Sequence, residues 1–257
     1  MDSRLVRIHE LLLAQAAVAP GNAVLDVGCG TGTTTFAYAE AAGAAGRVVG
    51  IDVSAPMLEI AHKRIAERGL ANVSLLEADA ATHPFLPRCF DRIVSRFGVM
   101  FFADPVAAFR NLYTAMREGG HLAFVCWAPL KDNPFWSIPL SIAERALGPR
   151  DPGPEHAPGP LALSDLTWIR FVLDAAGFRR IEIATREVAI IGGSPDAEAA
   201  VACRMGPAGR FIEERATPTD VRDTIRREIA RAFTPFASGA TTALPATVHL
   251  VTAERAA

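Results

Sequence analysis

Lysine is nearly absent from this 257-residue chain: of 26 basic residues only Lys63 and Lys131 are lysines, an arginine bias of the kind a GC-rich genome writes. Basic charge is not in excess either, because 28 acidic residues leave a formal net charge of −2. A chain without global positive charge needs a local basic stripe to hold a phosphate backbone, and none is visible, so no nucleic-acid partner is expected. Cysteine is sparse and scattered. Cys29, Cys89, Cys126 and Cys203 show no C-x-x-C spacing, which argues against zinc and against a disulfide framework and favours reduced thiols in the cytoplasm. No run reaches about 18 apolar residues and the first residues lack a basic stretch followed by an apolar one, so a soluble, unexported protein without membrane insertion is expected.

What is present is apolar content: 50% hydrophobic residues against 21% charged excludes a disordered chain and is enough for a full core. Leu5, Ile8, Leu12 and Leu13 recur at helical spacing, with Ser3 as a cap and Pro20-Gly21 as a stop, which predicts a leading helix. Short apolar runs and helical stretches then alternate. Strands are predicted at Ala23–Val27, Arg47–Val53, Val73–Ala78, Phe90–Phe97 and His121–Trp127, with helices at Thr33–Ala42, Ser54–Arg68 and Pro105–Met116 between them. Such alternation specifies a mostly parallel sheet covered on both faces.

Regularity lapses at 148–160, where five prolines and three glycines leave either a surface loop or a flap over a site. A helix at Ser164–Ala176 and a strand at Ile181–Ile190 follow. From Asp196 to Phe236 the chain reads as two helices, with Val221, Ile225, Ile229, Phe233 and Phe236 forming a stripe, before a final strand at Thr241–Ala253.

The segment Val24-Leu25-Asp26-Val27-Gly28-Cys29-Gly30-Thr31-Gly32 joins the first strand to the following helix. Alternate glycines permit a sharp turn and a close backbone approach to a ligand. A dinucleotide fingerprint G-x-G-x-x-G needs a third glycine where this chain has Thr33. Asp26 also sits poorly beside a pyrophosphate and suits a cationic amino-acid moiety. Asp52 closes the second strand, Asp79 the third, and Ser95-Arg96-Phe97-Gly98 the fourth. Asp52 would equally cap the helix after it, and Asp79 would equally form a turn.

Over residues 20–127 this pattern resembles the class I S-adenosylmethionine-dependent methyltransferases. The resemblance implies an α/β, Rossmann-like, doubly wound, mostly parallel seven-stranded sheet with helical cap insertions, and S-adenosyl-L-methionine as cofactor. It implies that Asp26, Gly28, Cys29, Gly30, Thr31 and Gly32 embrace the methionine part and that Asp52 takes both ribose hydroxyls. Val53 and Met57 would contact adenine, Asp79 and Ala80 its exocyclic amine, while Arg96 and Phe97 would border the methyl group. The expected organisation is one domain over 1–257: a leading helix at 1–19, a cofactor-binding core at 20–127, lid or cap segments at 128–160 and 196–237, and a last strand at 241–254.

By resemblance the small-molecule branch that includes quinone and natural-product enzymes fits best, judged from SRFGVMFFADP and REGGHLAFVCW. The fourth-strand sequence lacks the Pro-Pro-aromatic signature of amine methylators of DNA. The partner expected is a small-molecule acceptor, in a monomer or homodimer. Met100, Phe101, Trp127, Phe135 and Trp136 are candidate acceptor contacts, with core packing as the competing role for each. Among the six histidines, His9 on the leading helix and His156 in the 148–160 loop are the ones placed to reach an acceptor, and no general base and no metal ligand is assigned. An NAD(P)-dependent oxidoreductase and a non-catalytic cofactor-binding protein are the alternatives.

Overall fold

The computed structural model describes residues 2–151 and 153–256. A turn of 3-10 helix (Asp2–Leu5) leads into α1 (Val6–Ala16), which buries Ile8, Leu12 and Ala16. Leu5 holds the N-cap position of α1, and the side chain of Ser3, expected as a cap, lies outside the described residues.

Five strands with three helices between them then build the sheet: β1 (Ala23–Val27), α2 (Thr33–Ala42), β2 (Arg47–Asp52), α3 (Ala55–Arg68), β3 (Val73–Glu77), β4 (Phe90–Arg96), α4 (Pro105–Ala115) and β5 (Met116–Trp127). They are followed by α5 (Pro134–Leu147), α6 (Leu166–Ala176), β6 (Arg179–Gly192), α7 (Pro195–Ala202), α8 (Gly206–Glu214), α9 (Thr219–Phe233), β7 (Ala237–Ser238) and β8 (Thr241–Glu254). The strand order is β3-β2-β1-β4-β5-β8-β6, seven strands on the main path, with the two-residue β7 added beside β8. β1 to β5 pair in parallel, while β8 runs antiparallel to β5 and β6.

Position explains burial. β1 lies mid-sheet and is buried at every residue, as a strand covered on both faces must be. β3, at one edge, is buried at none of its residues. From β1 the chain steps to β2 and β3 on one side and then returns to β4 on the other, so the strand order reverses between β1 and β4. Open α/β sheets bind ligands in the crevice at the carboxyl ends beside such a reversal. Pairing of Val27 with Ile51, Asp52 with Glu77 and Arg96 with Val125 brings those carboxyl ends level.

Three elements differ from expectation. β5 starts at Met116 rather than His121, because Met116 pairs with Phe90 and the amide of Gly119 bonds Arg255 O, so the Gly119-Gly120 stretch stays in the sheet. Residues 134–147 form α5, a helix entered at Pro134 and carrying Pro139 within it. The cap before the last strand holds three helices, not two: Gly206 at φ +69° separates α7 from α8, and Thr217-Pro218 separates α8 from α9.

Those cap segments meet one another. α5 packs on α8 and α9, and α7 packs on α9. Arg4, ahead of α1, reaches the buried Glu198 of α7 at 2.7 Å. No helix among the described residues is long and apolar enough to cross a membrane.

Candidate cofactor and acceptor site

The turn after β1 is shaped by backbone bonds to β2. Gly28 and Cys29 N–H groups both donate to Ile51 O, at 2.9 and 3.1 Å, so the loop curls over the end of β2. Gly28, Gly30 and Gly32 all have positive φ, at 70°, 53° and 88°. Their spatial needs differ. A Cβ on Gly28 would fall 2.6 Å from Gly98 Cα, and one on Gly32 would enter the Phe36 ring. One on Gly30 would meet only Met57 Sδ, at 3.6 Å. A Cβ at Gly28 or Gly32 is therefore barred by the protein itself, whereas one at Gly30 would make only an ordinary contact.

Asp52 organises this loop. Its Oδ2 accepts the Gly30 N–H at 2.8 Å and its Oδ1 accepts the Ser54 N–H at 2.9 Å. Ser54 occupies the N-cap position of α3, yet its side chain makes no capping bond. An ionised carboxylate has about four acceptor positions, so roughly two remain on Asp52, which is only half-buried. Beside it Val53 is 70% exposed and Met57 47% exposed, an apolar surface that the protein leaves uncovered. Two groups hold the loop from outside, Arg64, which sequence reasoning missed, and Ser95, which it placed at the end of the fourth strand. Arg64 of α3 donates to Thr31 O and Oγ1 at 3.1 Å, and Ser95 Oγ donates to Val27 O at 2.8 Å while accepting from Gly98 N–H.

Asp26 lies beneath the loop rather than on its surface. It is completely buried, with Oδ2 accepting from Thr34 and Thr35 hydroxyls at 2.6 and 2.7 Å. Its Oδ1 has no hydrogen-bond partner. Burial pushes its carboxyl above the usual range, opposed by the two threonine bonds and by the Arg96 guanidinium. Burial likewise raises the Cys29 thiol, with Asp26 and Asp52 adding to the rise, so this cysteine is a poor nucleophile. The run Thr33-Thr34-Thr35 right after the glycines was the available signal for the Asp26 clamp.

Asp79 is exposed and its Oδ1 accepts the Ala81 N–H at 2.8 Å, the turn-forming role. Ala80 is buried, and its carbonyl is held by Asn111 Nδ2 at 3.0 Å. Both follow β3 on the same sheet edge as Asp52.

On the other side of the reversal stand the aromatic residues. Phe97 has φ +69°, unusual for a residue with a side chain, and its ring stacks on Trp127 at 4.5 Å and 8°. Trp136 meets Trp127 edge to face at 5.6 Å, and Phe135 lies 4.5 Å from Trp136. Met100, Trp127, Phe135 and Trp136 are buried, whereas Phe101 is 57% exposed. His156 is drawn away to α6, where its ring stacks on Trp168 at 4.3 Å. His62 is exposed, His121 contacts Gln15 O, and His249 is held between Ser164 O and Thr185. Among the described residues, no cluster of His, Cys, Asp and Glu is placed to hold a metal ion.

Comparison with known proteins adds the family. Residues 24–120 match the family described as methyltransferase domain. The chain is 40% identical over 124 residues to the aklanonic acid methyltransferase DauC of Streptomyces sp. strain C5, covering 48% of this chain and 53% of that protein. It is 35% identical over 117 residues to demethylmenaquinone methyltransferase of Geobacillus sp. strain WCH70, covering 46% and 50%. The chain thus spans about half the length of these two relatives. With nocamycin O-methyltransferase of Saccharothrix syringae it shares 30% identity over 236 residues, 86% of this chain and 80% of that one.

The chain belongs to the class I S-adenosylmethionine-dependent methyltransferases. Among solved structures, YcgJ of Bacillus subtilis superimposes with a TM-score of 0.64 over 98% of this chain and 99% of that one, at 19% identity, a likeness in fold. The oxidoreductase alternative is without support among these relatives.

Proposed function

We propose that the protein is an enzyme of the cytoplasm that transfers a methyl group from S-adenosylmethionine to a small organic acceptor by in-line displacement. The observation that carries this reading is Asp52: one carboxylate pins the glycine loop and the start of α3, keeps acceptor positions in reserve, and stands beside exposed Val53 and Met57. A ribose with its adenine meets those requirements together, two hydroxyls for the carboxylate and a flat base for the apolar surface. The unpartnered Oδ1 of Asp26 beneath the loop favours positive charge above it, as the amino-acid end of the cofactor carries.

In this reading Asp26, Gly28, Cys29, Gly30, Thr31 and Gly32 hold the methionine part, and Asp52, Val53, Met57, Asp79 and Ala80 hold the nucleoside. Arg96 and Phe97 border the reacting centre, and Met100, Phe101, Trp127, Phe135 and Trp136 wall the acceptor. When bound, the cofactor supplies an electrophilic methyl on a sulfonium. The protein's contribution is to orient the acceptor and exclude water, which suits a wall of aromatic rings and needs few reactive side chains. Segments 128–160 and 196–237 act as the lid, supported by the packing of α5 on α8 and α9. The relatives named for aklanonic acid, nocamycin and demethylmenaquinone support a small acceptor.

The test is a thermal shift with S-adenosylhomocysteine and with NAD, since only a true ligand stabilises the fold by mass action. A rise with S-adenosylhomocysteine is expected. A rise with NAD alone overturns the reading.

A further inference from the structure

The aromatic wall contains one polar atom that the fold leaves unmet. Trp136 is 9% exposed, and its Nε1 is buried with no hydrogen-bond partner. The benzenoid edge of the same indole, at Cε3 and Cζ3, presses on Gly206 at the start of α8 so closely that no Cβ fits there. That edge lies across the ring from Nε1, so the contact with Gly206 fixes the ring from the side opposite the buried N–H. Buried donors without acceptors are rare in folded proteins, and each calls for a partner.

The surroundings limit what the partner is. An indole N–H only donates, so the missing group carries a lone pair, and an ammonium does not satisfy it. Around Trp136 stand the rings of Trp127 at 5.6 Å, perpendicular to it, and Phe135 at 4.5 Å, and Phe97, at positive φ, stacks on Trp127. Sparsely populated backbone conformations of this kind gather at ligand clamps. Stacked and edge-on rings favour a flat, apolar body.

We propose that Trp136 determines acceptor specificity: its Nε1–H donates to an oxygen of a planar acceptor bearing a hydroxyl or carbonyl group, whose ring lies among Phe97, Trp127 and Phe135. The inference rests on the methyltransferase reading, because it needs that aromatic wall to be the acceptor side. It adds a donor with a defined partner chemistry to what was only an apolar surface. The rings alone would also hold a methylammonium by cation–π attraction. The unmet N–H is what favours oxygen, and the test separates the two.

Protein saturated with S-adenosylhomocysteine is titrated calorimetrically with 2-hydroxy-1,4-naphthoquinone and with 2-naphthylmethylamine, a flat cation without oxygen. The wild type is expected to bind the quinone in preference to the amine. Trp136→Phe is expected to weaken the quinone about tenfold, the worth of one hydrogen bond, and Trp136→His, which restores a ring N–H, to recover part of the loss. A second measurement needs no variant to bind: the chain has 3 tryptophans, so its 15N–1H spectrum carries three indole N–H signals, and that of Trp136 should move downfield on adding the quinone. Equal quinone affinity in Trp136→Phe, no quinone binding by the wild type, an unmoved Trp136 signal, or preference for the amine overturns the proposal. Failure of the wild type to bind S-adenosylhomocysteine in the first place overturns the methyltransferase reading instead.

Discussion

The amide of Gly30 donates to Asp52 Oδ2 at 2.8 Å, tying the turn after β1 to the end of β2 across 22 residues of sequence. The same carboxylate takes the Ser54 N–H on its other oxygen, so its charge is shared between two backbone donors before any ligand arrives. Asp52→Asn keeps the shape but turns one acceptor into a donor facing an N–H. The loop should lose about 1–3 kcal/mol from the unmet amide, and S-adenosylhomocysteine affinity should fall at least about tenfold. Urea denaturation and calorimetry read the two effects separately, and unchanged affinity would remove Asp52 from the cofactor site.

Gly28 and Gly30 look equivalent in sequence and are not. Both need positive φ, but only Gly28 has backbone across from it, with Gly98 Cα 2.6 Å from where a Cβ would stand. Gly28→Ala should force β1 and β4 apart at their carboxyl ends and cost well over about 2 kcal/mol of stability. Gly30→Ala should cost about 1 kcal/mol for its backbone alone and show its main effect in weaker S-adenosylhomocysteine binding. Equal stability losses in urea would contradict this division.

Glu198 is the most committed charge outside the loop. Its side chain is fully buried, takes Arg4 at 2.7 Å and the Gly193 N–H at 2.8 Å, and fills the space beside Gly192. Arg4→Ala leaves that carboxylate with the amide as its only described partner and should cost about 2–4 kcal/mol, below the usual range for a broken buried pair because Arg4 itself is 22% exposed. Adding Glu198→Gln to Arg4→Ala should restore part of the loss by removing the uncompensated charge. If Arg4→Ala denatures in urea like the wild type, the pair does not tie the leading segment to the cap.

How far the sequence was readable follows from the range of the forces involved. From Ala23 to Trp127 each strand carries a short apolar run, such as Val24-Leu25 or Leu122–Val125, and helical stretches alternate with most of them, so local pattern and sheet order agree, and the Asp26 to Gly32 signal falls where the strand order reverses. The cap was less legible. Segment 128–160 reads in sequence only as a lid or cap, with its helix α5 unstated: Pro134 enters that helix in the first turn, where the missing N–H costs nothing, and Phe135, Trp136 and Leu140 bury it although Pro139 lies within. Nothing near Glu198 in sequence announced its burial, because its partner Arg4 lies 194 residues away. Asp26 was recognised by position, yet its depth beneath the loop depends on Thr34 and Thr35 turning inward, which spacing alone does not state.

His249 supplies a test through pH. Its Nε2 lies 3.0 Å from Ser164 O, an acceptor only, so that nitrogen carries the proton and Nδ1 accepts from the Thr185 hydroxyl, also at 3.0 Å. Burial lowers its imidazole below the ordinary value, outweighing the Ser164 carbonyl that favours the charged ring. The unfolded chain therefore takes up this proton at a higher pH than the folded one. Stability from this group is fully present above about pH 6.5 and is lost as pH falls toward the folded value, by no more than about 1.4 kcal/mol between pH 7.5 and 5.5. His121, lowered by burial too, acts in the same direction, and Asp26, raised by burial, opposes it. Both cancel in a difference. Urea denaturation of the wild type and His249→Gln at pH 7.5 and 5.5 should show the wild type losing more stability on acidification than the variant, whose amide still donates to Ser164 O but binds no proton. Parallel losses in the two proteins would mean that His249 is no more shielded in the fold than in the open chain.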